Sequence, residues 1–374
     1  MEMKIPVTKP YLGKEEFNAC SDSIKSGWIS QGPKVKKFEE VVSDYTGSKY
    51  GIATTSCTTS LHLALLAIGI KPEDEVIVPS YSFIATANSV LYCGAKPIFV
   101  DIDERTYNID PKKIEEKISD KTKVIMPVHQ VGLPADMDKI NTIAEENNLK
   151  VLEDAACALG SEYKNIKIGS VNTACFSFHP RKLITTGEGG MILTNDKEVE
   201  EKARILRSHG SSISDLTRHK SKEVVFEEYS LLGYNYRMND IQGSIGLEQF
   251  KKLDFILKRR KELAERYNDL LSSIDSIVTP FVPSGYKHAY QSYIVRLDQL
   301  DVSRDKVMQK MLEKGIATRR GIMAIHKEPY YIKRFGGISL PITEKCVDTT
   351  MILPLFPAMT REQQDYIVNI LKKI

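Results

Sequence analysis

The sequence predicts an α/β protein, with a large domain built on a mostly parallel sheet flanked by helices and a smaller α+β domain at the C-terminus. Three observations carry this prediction. From roughly residue 35 to 195, short apolar runs alternate with amphipathic stretches, the pattern of strands joined by helical crossovers. At 374 residues the chain exceeds the length at which one core usually stops growing. Beyond a long charged stretch the pattern then changes to hairpin-like strands and helices, which places residues 1–250 in the large domain and 251–374 in the small one.

The candidate strands of the large domain are Val76 to Val78, Ile98 to Val100, Val124 to Val128, Val151 to Glu153, Cys175 to Phe178 and Met191 to Leu193. Leu61 to Ile68, Ile84 to Tyr92, Met137 to Asn147 and Glu198 to Arg207 between them have helical periodicity. A single linker helix is expected over Leu247 to Ser272. Tyr293 to Leu297 reads as a strand of the small domain, and Arg304 to Lys314 and Arg361 to Lys373 as its helices.

Composition narrows the function classes. Hydrophobic residues make up 42% and charged residues 27%, as in soluble globular proteins and unlike disordered or membrane chains. The formal charge of +3 is spread along the chain, so no nucleic-acid footprint is expected. The densest basic cluster, Lys251 to Lys261, is interleaved with apolar residues as on a helix with one solvated face. The six cysteines show no CxxC spacing, which fits a reduced cytoplasmic protein without a metal. No run reaches the roughly 18 apolar residues of a membrane span, and the polar stretch from Met1 lacks an apolar signal core, so neither secretion nor membrane insertion is expected.

Three segments carry chemistry. The hydroxyl-rich run Thr54 to Ser60 enters an apolar helix, and free N–H groups with hydroxyls at a helix start can hold an anion. By itself the run reads better as a helix cap formed by Thr58 or Ser60, and phosphate binding needs corroboration elsewhere. The strand Lys150 to Asp154 ends in two carboxylates at the mouth of the sheet, where ligands bind in α/β folds. Asp154 there can hold a pyridine nitrogen protonated, although a lone strand-end Asp is often only a cap. Lys182 follows an apolar strand and precedes Gly187-Glu188-Gly189-Gly190, which directs it into a cleft, where desolvation and neighbouring Arg181 would favour the neutral amine. A surface lysine in a loop is the alternative for that residue alone. Phosphate cradle, acid and lysine in this order mark a pyridoxal-phosphate (PLP) site.

These residues resemble the DegT/DnrJ/EryC1/StrS sugar aminotransferases nearly end to end. The resemblance rests on Ser26-Gly27-Trp28 with Gly32-Pro33, Ser56-Cys57-Thr58-Thr59-Ser60-Leu61, Gly69 with Asp74-Glu75-Val76-Ile77-Val78-Pro79, Glu153-Asp154-Ala155-Ala156, Phe176-Ser177-Phe178-His179, Lys182, Gly187-Glu188-Gly189-Gly190 and Gly233-Tyr234-Asn235-Tyr236-Arg237-Met238. It implies the fold type I of PLP enzymes, with a seven-stranded sheet. It further implies that Lys182 carries PLP as a Schiff base and moves the proton, that Asp154 pairs with the pyridine nitrogen and that Phe83 stacks on the ring. Cys57, Thr58 and Ser177 would bind the phosphate, and Asn235 would reach the phosphate of the partner subunit in a homodimer with shared sites. Cys157 stands where the family commonly has Gln or His beside the cofactor. In the small domain Arg319 and, seven positions later, His326 resemble the spacing of perosamine synthases and are the candidate substrate-binding residues, Arg319 pairing with a diphosphate. A structural surface arginine is an equal reading of Arg319.

The implied reaction moves an amino group from glutamate to a nucleotide-linked keto sugar, with a nucleotide-diphosphate 4-keto-6-deoxyhexose as the expected acceptor. Two alternatives stand beside it. A dehydratase of the same family replaces the cofactor lysine with histidine, against which Lys182 argues, and a regulatory protein could keep the fold without catalysis.

Overall fold

The computed structural model describes residues 5–213, 223–224, 226–298 and 302–374. Its large sheet contains β1 (Tyr50–Thr54), β2 (Glu75–Pro79), β3 (Lys96–Val100), β4 (Thr122–Ile125), β5 (Lys150–Asp154), β8 (Thr173–Ser177) and β9 (Gly190–Thr194), in the order β1-β9-β8-β5-β4-β2-β3. The short strands β6 (Glu162–Tyr163) and β7 (Ile166–Lys167) fall between β5 and β8 in the chain and join a separate small sheet. Neighbouring strands from β3 across to β8 pair in parallel, while β9 is antiparallel to both β1 and β8. Only β9 therefore opposes the rest, and the predicted seven-stranded, mostly parallel sheet is what forms. Its member β1 lies outside the six strands expected from periodicity.

Both faces of this sheet are buried, and the period of two along each strand sorts side chains between two cores. Ile77, Ile125, Ala174, Phe176, Met191 and Leu193 face one core with Val35, Phe38 and Val42 of helix α2 (Pro33–Thr46). Val76, Val78, Val124, Leu152, Cys175 and Ile192 face the other, with Leu61, Leu63 and Leu65 of helix α3 (Cys57–Ile68) and Val90 of helix α4 (Ala85–Tyr92). Helix α1 (Lys14–Ser26) packs outside, against the helix Asp240–Lys251. One close approach explains part of the glycine run: a Cβ on Gly190 would lie 2.5 Å from the Cys57 nitrogen, so only glycine lets β9 lie against the start of α3.

The remaining strands are β10 (Ile277–Val278), β11 (Tyr286–Lys287), β12 (Tyr293–Leu297), β13 (Arg319–Arg320) and β14 (Thr350–Leu353). Four of them form an antiparallel sheet in the order β10-β12-β14-β13, and β11 pairs with β6. Tyr293, Val295 and Leu353 pack with Val307 and Met311 of the helix Arg304–Glu313 and with Ile367 of the helix Arg361–Leu371. Leu263, Tyr267 and Leu271 join this core, as does Ile5 from the start of the chain, which pairs with Ile316.

The linker helix expected over Leu247 to Ser272 is two helices, Asp240–Lys251 and Leu253–Leu271. The two meet at Lys252, whose ammonium lies against α1, 2.6 Å from Glu16 and 3.1 Å from Glu15. Among the described residues, no helix is long and apolar enough to cross a membrane.

Candidate active site

The carboxyl ends of β1, β5 and β8 open on a cavity of about 490 Å³. Strand ends of a parallel sheet collect loops and helix starts on one edge, so residues distant in sequence converge there. Cys57, Thr58, Phe83, Asp154, Cys157, Ser177, Lys182 and Arg319 all line this space.

At the end of β1 the chain turns directly into α3. Ser56 caps the helix by accepting from the Thr59 N–H at 3.2 Å, while Thr59 Oγ1 accepts from the Ser56 N–H at 3.1 Å. The first N–H groups of a helix have no intrahelical acceptor, and the residues of this helix start, Ser56, Cys57 and Thr58, line the cavity. Burial, and then the Asp154 carboxylate, push the Cys57 thiol well above its ordinary pKa, so it enters the anion cradle uncharged. The cap is Ser56 rather than the expected Thr58 or Ser60, and the helix start that it closes borders the cavity.

Asp154 ends β5 and is buried. Its Oδ2 accepts from Thr86 Oγ1 at 2.7 Å and its Oδ1 from the Ala156 N–H at 3.2 Å. Burial raises its pKa, with Thr86 and Lys182 acting in the opposite direction. The adjacent Glu153 points to the other face of the strand, where His129 Nε2 lies 3.2 Å away and Asn172 Nδ2 donates at 2.9 Å. Because His129 Nδ1 accepts from the Ala135 N–H, its proton sits on Nε2. Glu153 is therefore committed to the scaffold, and of the two strand-end carboxylates only Asp154 serves the cavity.

Lys182 lies on the excursion between β8 and β9, closed by Phe178 N–H to Gly189 O at 2.9 Å and Thr186 N–H to Phe178 O at 3.0 Å. A tight turn, Lys182 N–H to His179 O at 2.8 Å, aims its side chain inward, and Nζ comes to 3.2 Å from Cys157 Sγ. The expectation of a neutral amine does not hold for this arrangement. Burial pushes the Lys182 pKa down, but the Cys157 sulfur beside Nζ and the Asp154 carboxylate outweigh it and hold the ammonium form above its ordinary value. Arg181, which was expected to assist, is exposed.

Phe83 is 59% exposed although it stands on the cavity wall, leaving a flat apolar face open to a ring. An anion cradle at a helix start, a buried carboxylate, an inward amine and an open aromatic face together fit PLP.

Of the expected residues, His326 is not brought to the cavity, and Asn235, expected to serve the partner subunit's site, does not line this chain's. Asn235 is exposed and lies away from the lining of this chain's cavity, in a segment bridged to Ser208. His326 is a correction to the substrate-binding set. It is 1% exposed, with Nδ1 2.6 Å from Ser80 Oγ and Nε2 3.2 Å from Glu344 Oε1, so both ring nitrogens are spent inside the protein. Conversely, Ser82, Thr86, Gln291 and Arg320 line the cavity and were not singled out from the sequence. Thr86 and Ser82 carried a usable signal, hydroxyls just past the buried strand β2. Gln291, whose Nε2 donates to the Arg181 carbonyl at 2.6 Å, carried none.

Residues 10–372 match the sequence profile of the DegT/DnrJ/EryC1/StrS aminotransferase family. The spore coat polysaccharide biosynthesis protein SpsC of Bacillus subtilis is 39% identical over 99% of this chain and 97% of its own. The solved structure of S. venezuelae DesV in complex with a ketimine intermediate superposes with a TM-score of 0.91 at 29% identity, covering 99% of this chain and 98% of that one. NtdA of Bacillus subtilis, solved with bound cofactor PMP, has a TM-score of 0.85 at 34% identity over 96% of this chain and 81% of its own. With its sheet, its cavity and the match over nearly its whole length, this chain belongs to the DegT/DnrJ/EryC1/StrS aminotransferase family and is a PLP-dependent aminotransferase.

Proposed function

We propose that this enzyme transfers the amino group of glutamate to C4 of a nucleotide-diphosphate 4-keto-6-deoxyhexose, in the cytoplasm, for amino-sugar biosynthesis. The observation that carries the reading is a single cavity holding Lys182 and Asp154 on one side and Arg319 on the other. Guanidinium groups suit phosphate oxygens, and a volume of about 490 Å³ lies in the range of sites that enclose ligands larger than an amino acid.

In this reading PLP, when bound, supplies the electron sink. Lys182 would hold the cofactor through Nζ and would supply the amine that moves the proton at the reacting carbon. Asp154 keeps the ring nitrogen protonated, Phe83 packs on the ring, Cys157 lies beside it, and Cys57, Thr58 and Ser177 hold the phosphate. Arg319 takes the diphosphate of the sugar nucleotide. The two substrates use the cavity in turn, so the kinetics are ping-pong. Lys182 stands where the dehydratases of the family have histidine, and the complete set of groups disfavours a purely regulatory protein.

Asn235 completes the phosphate site of the partner subunit in a homodimer. Its exposed position outside this chain's cavity supports that role. Hybrids of Lys182→Ala and Asn235→Ala subunits, each impaired alone, should recover activity through one repaired site. Confirmed hybrids that stay inactive would contradict it. The substrate reading is tested by coupled glutamate-to-2-oxoglutarate turnover across nucleotide-linked 4-keto and 3-keto sugars. Activity confined to 3-keto sugars or to free amino acids would overturn it.

A further inference from the structure

Thr86 stands in the first turns of α4, beyond the carboxyl end of β2, and is 1% exposed. Its Oγ1 lies 2.7 Å from Asp154 Oδ2 and 2.8 Å from Ser82 Oγ, and Ser82 is likewise 1% exposed. A threonine hydroxyl has one proton, and an ionised carboxylate can only accept. The Thr86 proton is therefore committed to Asp154, and the Thr86 oxygen must accept from Ser82. The direction of the chain is fixed as Ser82 to Thr86 to Asp154.

We propose that Thr86, backed by Ser82, is a positioning residue for amino transfer, holding Asp154 ionised and in one rotamer so that it can pair with a protonated ring nitrogen. The inference rests on the reading of Asp154 given above. It follows from what surrounds the carboxylate. Asp154 is buried, and burial favours its neutral acid form. Of the other ionisable groups facing it, Lys182 and His129 favour the anion, but His129 is neutral through its Ala135 bond, and Cys57 and Cys175 bring only uncharged thiols. The donors aimed at its oxygens are the Ala156 N–H at 3.2 Å and the shorter Thr86 hydroxyl. Removing that hydroxyl leaves Oδ2 buried beside a methyl group, and an unsatisfied buried acceptor is the costly case. The proton would then stay on Asp154 rather than on the ring.

The test uses holoenzyme reconstituted with PLP carrying ¹⁵N in the ring, whose nitrogen chemical shift reports protonation directly. Thr86→Val keeps the size of the side chain and removes the donor. It should move the ring-nitrogen shift toward the unprotonated form and lower kcat roughly 10- to 100-fold, the loss expected for a hydrogen bond to a charged group. KM for both substrates should stay within about twofold, since Thr86 and Ser82 are each 1% exposed and their hydroxyls are spent within the relay. Thr86→Ser should restore both shift and rate, which a merely space-filling role would not predict. A loaded Thr86→Val enzyme with native shift and native kcat overturns the proposal. If Thr86→Val does not take up PLP, Ser82→Ala carries the test: a partial move of the shift supports the relay, and a native shift overturns it. Asp154→Asn is measured in parallel. A native shift there defeats the Asp154 reading itself, whereas a moved shift in Asp154→Asn with a native one in Thr86→Val defeats the relay alone.

Discussion

On one side of the cavity the functional groups stand at the ends of long buried strands, Ser56 after β1, Asp154 on β5 and Ser177 on β8. On the other side Arg319 and Arg320 are both exposed, on a two-residue strand at the edge of the four-stranded sheet, paired with Ile352 and Met351 of β14. The first side is half-buried to buried and mutually coupled: Asp154, Lys182 and Cys57 each have a protonation shaped by the others. The second is open and cationic. A rigid coupled side suits chemistry common to both half-reactions, and an open cationic edge suits recognition of one substrate.

This contrast is broken most severely at Lys182. Lys182→Ala should abolish turnover with either substrate, because the covalent attachment and the proton carrier are lost together, while the α3 anion cradle can still hold PLP by its phosphate. Borohydride reduction followed by mass spectrometry should place the cofactor on Lys182 in the native enzyme, and modification of another lysine would refute the assignment. Asp154→Asn comes next. A neutral amide cannot stabilise the protonated ring, and a loss of ~100-fold or more in kcat is expected for both half-reactions, about 2.7 kcal/mol of barrier at a factor of ten per 1.36 kcal/mol. Near-native turnover in a folded Asp154→Asn protein would remove the coupled side from the chemistry.

The same contrast governs what could be read from the sequence. Asp154 and Lys182 were legible because a strand end fixes where a side chain goes, and apolar runs mark strand ends without knowledge of any partner. Strand β1 was missed because Tyr50–Thr54 runs straight into the hydroxyl-rich cradle and contains Gly51, which weakens a strand pattern. That glycine is required by packing: a Cβ there would lie 2.7 Å from the Glu39 carbonyl of α2. The environments of Lys252 and His326 depend on partners at Glu16 and Ser80, 236 and 246 positions away. Spacing within one segment carries no record of such contacts. Arg319 and His326 are seven positions apart, yet one lines the cavity and the other is sealed behind it.

Arg319→Ala sharpens the comparison from the open side. If that edge only recognises the sugar nucleotide, KM for it should rise roughly 10-fold, the effect of one charge-assisted contact, while the glutamate half-reaction stays nearly unchanged. Stopped-flow measurement of each half-reaction separates these outcomes. Equal damage to both halves would mean that Arg319 serves the fold or the shared site.

The smallest effect is expected behind the open side, where His326 holds the segment against the end of β2. Glu344 accepts there from the Leu340 N–H at 3.1 Å and pairs with Lys327 at 3.1 Å and with His326 at 3.2 Å. Because a carboxylate accepts, His326 carries its proton on Nε2, and Nδ1 accepts from the Ser80 hydroxyl. The Leu340 N–H, then Lys327 and His326, draw the Glu344 pKa from its ordinary 4.5 down to about 2. A carboxylate with a depressed folded-state pKa contributes stability that is present above its unfolded value and lost as the pH falls through the folded one. Glu344→Gln should therefore lower stability near neutrality by only about 0.5 kcal/mol, as for other solvent-screened pairs, and the difference from native should shrink as the pH drops from 4.5 toward about 2. Urea unfolding across that range measures it. KM for both substrates should stay native, since none of these groups lines the cavity; a raised KM for the sugar nucleotide would show that the segment behind Arg319 helps to set its reach.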